Sequence, residues 1–101
     1  MKEIRSIAKR IAEQFDVEKI ILFGSYAYGK PDENSDVDLL VVMNTPERPL
    51  RQRLIIYRSL SPIRIALDII VRREEDILRR IPQGDFFLQD AWEKGKLLYA
   101  K

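Results

Sequence analysis

The chain has 101 residues, enough for one domain with a modest core, and 46% hydrophobic beside 34% charged residues gives no expectation of a long disordered region. With no cysteine and no histidine, disulfides and Cys-ligated zinc are excluded, and catalysis is left to carboxylates, Lys, Arg, Ser, Thr or Tyr, or to a metal held by oxygen. The net charge of +2 is too weak to argue for nucleic acid, the opening MKEIRSIAKR lacks the apolar core of a signal peptide, and no apolar run approaches the ~20 residues that span a bilayer, so the expectation is a cytoplasmic protein.

Residues 3–15 read as a helix, with Ile4, Ile7, Ala8, Ile11, Ala12 and Phe15 at helical spacing. EKIILF, 18–23, reads as a buried strand, and Ser25 to Tyr28 as one helical turn capped by Ser25 and stopped by Gly29. SDVDLLVVM, 35–43, is a second strand, broken by Asn44, Thr45 and Pro46. Residues 49–60 form a helix with Leu50, Leu54, Ile55 and Tyr57 or Leu60 inward, ended by Ser61-Pro62. IRIALDIIV, 63–71, is a third strand; 74–80 is a short helix stopped by Pro82. Residues 85–93 form another helix, with Gly95 as its C-terminal cap, and KLLYA, 96–100, is a last short strand. The order predicts a single α/β (α+β) domain over 1–101, a small mixed sheet flanked by helices.

Within that frame, Asp36 and Asp38 sit one residue apart at the mouth of a strand. Alternation points them the same way, where two carboxylates repel and lose hydration unless protonated, paired with arginine or bound to a cation. Mg²⁺ suits such a pair, because it takes a few carboxylates together with phosphate oxygens and water. A bare D-x-D is more often a solvated loop. Asp68 changes the weighing, because it lies inside an apolar strand, where a lone carboxylate is costly unless ion-paired (Arg64 or Arg72 are the candidates) or metal-bound. If the third strand pairs beside the second, the three aspartates share a face and make a two-metal site, with ions about 3.5–4 Å apart, suited to phosphoryl or nucleotidyl transfer. Gly24 permits close approach of a ligand, and the N–H groups after it attract phosphate oxygens; a tight turn with a Ser cap is the plainer alternative.

Gly24-Ser25, ten residues, Asp36-x-Asp38 on a strand and a carboxylate on a later strand resemble the DNA polymerase β-type nucleotidyltransferase superfamily. The small size makes the chain look like the minimal nucleotidyltransferases (MNT), antitoxins paired with HEPN toxins. The resemblance runs from the leading helix to KGKLLYA, and it implies the polymerase β-like palm fold. It also implies that Gly24 and Ser25 hold the β- and γ-phosphates of a nucleoside triphosphate, that Asp36 and Asp38 bind two Mg²⁺ ions, and that Asp68 completes the metal site and helps remove the acceptor's proton. Many relatives carry an arginine after the Gly-Ser, where this chain has Tyr26 and Tyr28; these tyrosines either stack on a base or pack on the sheet. Lys30 either approaches the phosphates or is solvated.

The expected activity is transfer of AMP from ATP to a hydroxyl, a tyrosine of a cognate HEPN RNase toxin. The alternative is a non-catalytic antitoxin that masks the toxin through aromatics such as Phe86, Phe87, Trp92 and Tyr99. Nucleotide addition to a small molecule needs an acceptor pocket that a short chain does not build alone. Direct nucleic-acid binding is not expected, and a homo-oligomer is left open. Residues 46–82 hold nine arginines against five acids, so the cluster at Arg48, Arg51, Arg53 and Arg58 is either a solvated face or a surface for polyphosphate or an acidic partner.

Overall fold

Ile4, Ile7, Ala8 and Ile11 are buried at the spacing that makes one stripe of a helix, and they fix the first element, α1 (Lys2–Gln14), against the sheet. The computed structural model describes residues 2–32 and 34–101. After α1 come β1 (Lys19–Phe23), α2 (Ser25–Tyr28), β2 (Val37–Val42), α3 (Pro49–Leu60), β3 (Leu67–Arg72), α4 (Glu74–Arg80), α5 (Phe86–Lys94) and β4 (Lys96–Ala100). The sheet order is β3-β2-β1-β4. β1 pairs antiparallel with both β2 and β4, and β2 pairs parallel with β3, with α3 as the crossover.

Strand alternation sorts the core into two layers. Ile20, Leu22, Leu39, Val41, Ile69 and Val71 face α1 and α3, whereas Ile21, Phe23, Leu40 and Val42 face α4 and α5 through Ile77, Leu88 and Ala91. Each fully buried Leu or Ile among them contributes roughly 1.5–3 kcal/mol. Both faces are covered, so the strands read as continuous apolar runs. Gly95 ends α5 with φ −69°, an ordinary backbone. It is glycine for space, because an added Cβ would overlap Ile21 and the Ala91 carbonyl.

Three expectations from the sequence are corrected. β2 begins at Val37, not Ser35: Ser35 Oγ accepts from Asp32 N and donates to Asp32 Oδ1, which also accepts from Asn34 N, and this local turn wins over strand pairing. β3 begins at Leu67, not Ile63, because β2 offers no backbone before Val37; the last bond of the pair is Val37 N–H to the Ala66 carbonyl. Ile63 and Ile65 still pack on the core without joining the sheet. In α3 the buried residues are Gln52, Ile56 and Leu60, while Leu50 is 66% and Leu54 51% exposed. Buried Gln52 accepts from the Thr45 hydroxyl at 2.7 Å, which satisfies both polar groups and sets the rotation of the helix.

That rotation brings Tyr57 to the outer edge of β3. Its hydroxyl donates to the Leu67 carbonyl (2.6 Å) and accepts from the Ile69 amide (2.9 Å), doing for the edge strand what a neighbouring strand would do. Tyr57→Phe leaves both backbone groups unpaired, so urea unfolding should show a loss of about 1–3 kcal/mol. An unchanged midpoint would show that water replaces the hydroxyl at no cost.

Candidate active site

Gly24 closes β1 with φ 76° and ψ −158°, a conformation open essentially to glycine. A Cβ at this position would overlap Oδ2 of Asp38, so the backbone of residue 24 and the Asp38 carboxylate lie directly against each other. α2 then starts at Ser25. Gly24, not Ser25, is its N-cap, and no side chain caps it; the turn is held by Ala27 N–H and Tyr28 N–H to the Gly24 carbonyl and closed by Gly29 N–H to Ser25. The N–H groups of Ser25 and Tyr26, in the first turn, have no intrahelical acceptor. Tyr26 packs on the core, Tyr28 is exposed, and Lys30 lies in an exposed loop.

Register brings the second half of the site to the same place. Asp38 lies opposite Phe23 on β1 and opposite Asp68 on β3. It shares a face with Leu40 and Val42, as Asp68 does with Ile70. Asp36 is an exposed residue just before β2 rather than a strand residue. Burial, then the charge of Asp68, then that of Asp36 push the Asp38 carboxyl above its ordinary value. Both neighbouring carboxylates therefore act electrostatically on Asp38. The three do not form a closed cage: among the described residues no three Asp or Glu side chains already surround one cation position.

Asp68 is instead held by Arg53. Its Nη2 donates to Asp68 Oδ1 at 3.0 Å, so the ion-pair partner is on α3 rather than Arg64 or Arg72 of the sequence expectation. The pair is half exposed and incomplete, with Arg53 Nε buried without an acceptor. The sequence puts Arg53 only in an arginine cluster; the fifteen residues from Arg53 to Asp68 bridge a crossover and leave no local signal of the pair. Phe87 is a second site residue without a sequence signal. It meets Phe23, the neighbour of Asp38 in the sheet, edge to face at 5.3 Å, and so walls the site from α5. Phe86 is 75% exposed, Trp92 packs on the second core layer beneath Lys19 Nζ, and Tyr99 packs on the first. Arg51 pairs with Glu47, while Arg48 and Arg58 are exposed.

The donor set is oxygen only, it concentrates negative charge on a carboxyl that resists ionising, and it sits against a backbone too close for any Cβ. These features fit a hard divalent cation such as Mg²⁺ beside a phosphate-bearing ligand.

Comparison with known proteins gives the family. Residues 3–99 match the model of the nucleotidyltransferase domain family. The chain belongs to that family. A candidate protein adenylyltransferase of Methanocaldococcus jannaschii is 32% identical to this nucleotidyltransferase domain over 83 residues, 82% of this chain and 79% of that protein. A second one from the same organism is 39% identical over 56 residues, 54% of each chain. The protein adenylyltransferase MntA of Thermococcus cleftensis is 47% identical over 45 residues, 41% of this chain and 46% of that one. The chain thus spans about half the length of these last two curated relatives. Among solved structures, a candidate nucleotidyltransferase of Sulfolobus solfataricus superposes with a TM-score of 0.69 at 23% identity, covering 99% of this chain and 79% of that one. A chain of a mutant MntA–HpeT toxin–antitoxin superposes at 0.66 and 21% identity, covering 95% and 72%. The mixed sheet with flanking helices is therefore a nucleotidyltransferase fold. Among the described residues no helix is long and apolar enough to cross a membrane.

Proposed function

We propose that this domain transfers AMP from ATP to a tyrosine hydroxyl of a cognate HEPN RNase toxin, and so acts as its antitoxin in the cytoplasm. The observation that carries the reading is Asp38, set between the Gly24 backbone and Asp68, with a carboxyl that burial and two neighbouring charges disfavour as an anion. The names of the relatives and of the MntA–HpeT neighbour support the class of acceptor.

In this reading Gly24 and Ser25 hold the β- and γ-phosphates through backbone N–H groups. Asp36 and Asp38 would hold two Mg²⁺ ions, with Asp68 completing the set; when bound, the metal neutralises the triphosphate charge. The acceptor oxygen forms a new bond to the α-phosphorus, and the bond from that phosphorus to the oxygen bridging to the β-phosphorus breaks. Pyrophosphate leaves with the electron pair, and the hydroxyl proton passes to the Asp68 carboxylate and then to water. With no histidine in the chain, the work of the protein is positioning and exclusion of competing charge.

Labelled ATP, Mg²⁺, this protein and the product of the neighbouring gene should yield labelled partner. An unlabelled partner that still cleaves RNA would overturn the proposal. The second reading, masking without catalysis, is favoured by the exposure of Phe86 and Phe87. Combined Asp36→Asn and Asp38→Asn separates the two: loss of neutralisation supports transfer, and full neutralisation supports masking.

Arg53 competes with a cation for Asp68. Arg53→Gln should change stability by less than about 1 kcal/mol, because the pair is half exposed. It should also tighten Mn²⁺ binding in a calorimetric titration. Weaker binding in the variant would mean that Arg53 organises the site rather than blocks it.

A further inference from the structure

β3 is an edge strand, and its outer side is open in part. The Ala66 and Arg72 carbonyls accept from Val37 and Met43 on the β2 side, so alternation turns the backbone groups of Leu67, Ile69 and Val71 outward. Tyr57 takes the Leu67 carbonyl and the Ile69 amide, and Arg72 Nη1 donates to the Val71 carbonyl at 2.8 Å. The Ile69 carbonyl and the Val71 amide face a groove of about 730 Å³ between α3 and α4. Arg48, Arg53, Arg72, Arg79 and Arg80 line it against Asp68 and Asp76, with the exposed Leu50 alongside. Open strand edges are ordinarily covered or blunted, because they pair with other chains.

We propose that this groove receives an extended, acidic segment of a partner polypeptide, which adds to β3 as a further strand and delivers a hydroxyl side chain to Asp68. The delivery rests on the transferase reading; the docking does not. A peptide backbone supplies the donor for Ile69 and the acceptor for Val71 at the strand's own repeat, which a sugar–phosphate backbone does not match. Among the described residues no aromatic side chain lines the groove to stack a base. The surplus of arginine selects acidic side chains. From Val71 to Asp68 is three residues, about 10 Å of strand, so a short segment reaches the carboxylate.

The test uses a fluorescent random copolymer of glutamate and tyrosine as the probe. Three forms are compared: wild type, the transfer-silent Asp36→Asn/Asp38→Asn pair, and Arg79→Glu/Arg80→Glu on the exposed face of α4. The first two should bind the copolymer, the silent pair at least as tightly as wild type. The charge reversal should weaken binding about tenfold or more while circular dichroism shows an intact fold; should it fail to fold, Arg79→Gln/Arg80→Gln takes its place. Amide exchange at Val71 should slow when the copolymer binds, and a lysine–tyrosine copolymer should not bind. Equal binding after charge reversal or unchanged exchange at Val71 overturns the proposal. So does competitive displacement by ATP, which marks a phosphate site, or tighter arginine-dependent binding of single-stranded RNA. Copolymer that docks through the arginines but receives no AMP removes the transferase reading and leaves the docking surface standing.

Discussion

Asp38→Asn should abolish the proposed AMP transfer, by at least about a thousandfold, and should leave the metal-free chain more stable than wild type. The two effects have one cause. Asp38 is a carboxylate under pressure from its surroundings: burial raises its pKa, and Asp68 and Asp36 raise it further above the ordinary 3.8. Asparagine keeps the shape and removes the charge, so it removes the repulsion together with the cation ligand. The sign of the pH dependence follows from linkage. In the window between the ordinary value and the raised one, the folded chain binds more protons than the unfolded chain, so wild-type stability falls as pH rises through it. Above the window the charged Asp38 is a fixed penalty, and below it the penalty is absent. Thermal melts without divalent ions should therefore show the variant pulling ahead of wild type as pH rises across that range. A difference that does not vary with pH would mean that Asp38 is solvated and unstrained. Added Mg²⁺ should raise the melting temperature of wild type and not of the variant.

Gly24→Ala should be as damaging to activity and, unlike Asp38→Asn, should destabilise the fold. At φ 76° and ψ −158° alanine costs about 1–3 kcal/mol in backbone strain alone. Its Cβ also overlaps Asp38 Oδ2, so that the carboxylate or the β1–α2 turn has to move, a cost of similar size. The total of about 2–6 kcal/mol would appear in urea unfolding. A double-mutant cycle separates the two parts. In an Asp38→Ala background the overlap disappears while the strain persists, so the Gly24→Ala penalty should shrink by roughly half. Full additivity would mean that the two residues do not touch.

The elements whose polar and apolar residues follow one rule were legible from the sequence. α1, α3, α4 and β4 fall at or within one residue of their expected bounds because periodicity, Pro49 and Gly95 mark them. β3 starts four residues after the expected Ile63, since Ile63 and Ile65 alternate like strand residues, and only the length of β2 decides which of them find a partner. The rotation of α3 was read wrongly for a comparable reason. Leu50 and Leu54 are the greasier choice, but the buried Thr45–Gln52 hydrogen bond and the reach of Tyr57 to β3 outweigh them. At the site, the pairing of Asp38 with Asp68 follows from strand order, and the structure has that order. The closeness of Gly24 to Asp38 was foreseen only as room for a ligand. The Arg53–Asp68 pair was not legible, because it depends on how far a crossover helix leans over an edge strand.

The central claim is that Asp36, Asp38 and Asp68 gather a divalent cation beside a nucleoside triphosphate. Electron paramagnetic resonance of Mn²⁺ titrated into the protein with a non-hydrolysable ATP analogue tests it most directly. Saturable binding by wild type that is lost in Asp38→Asn is the predicted result; equal binding by the two, or none by either, would contradict it.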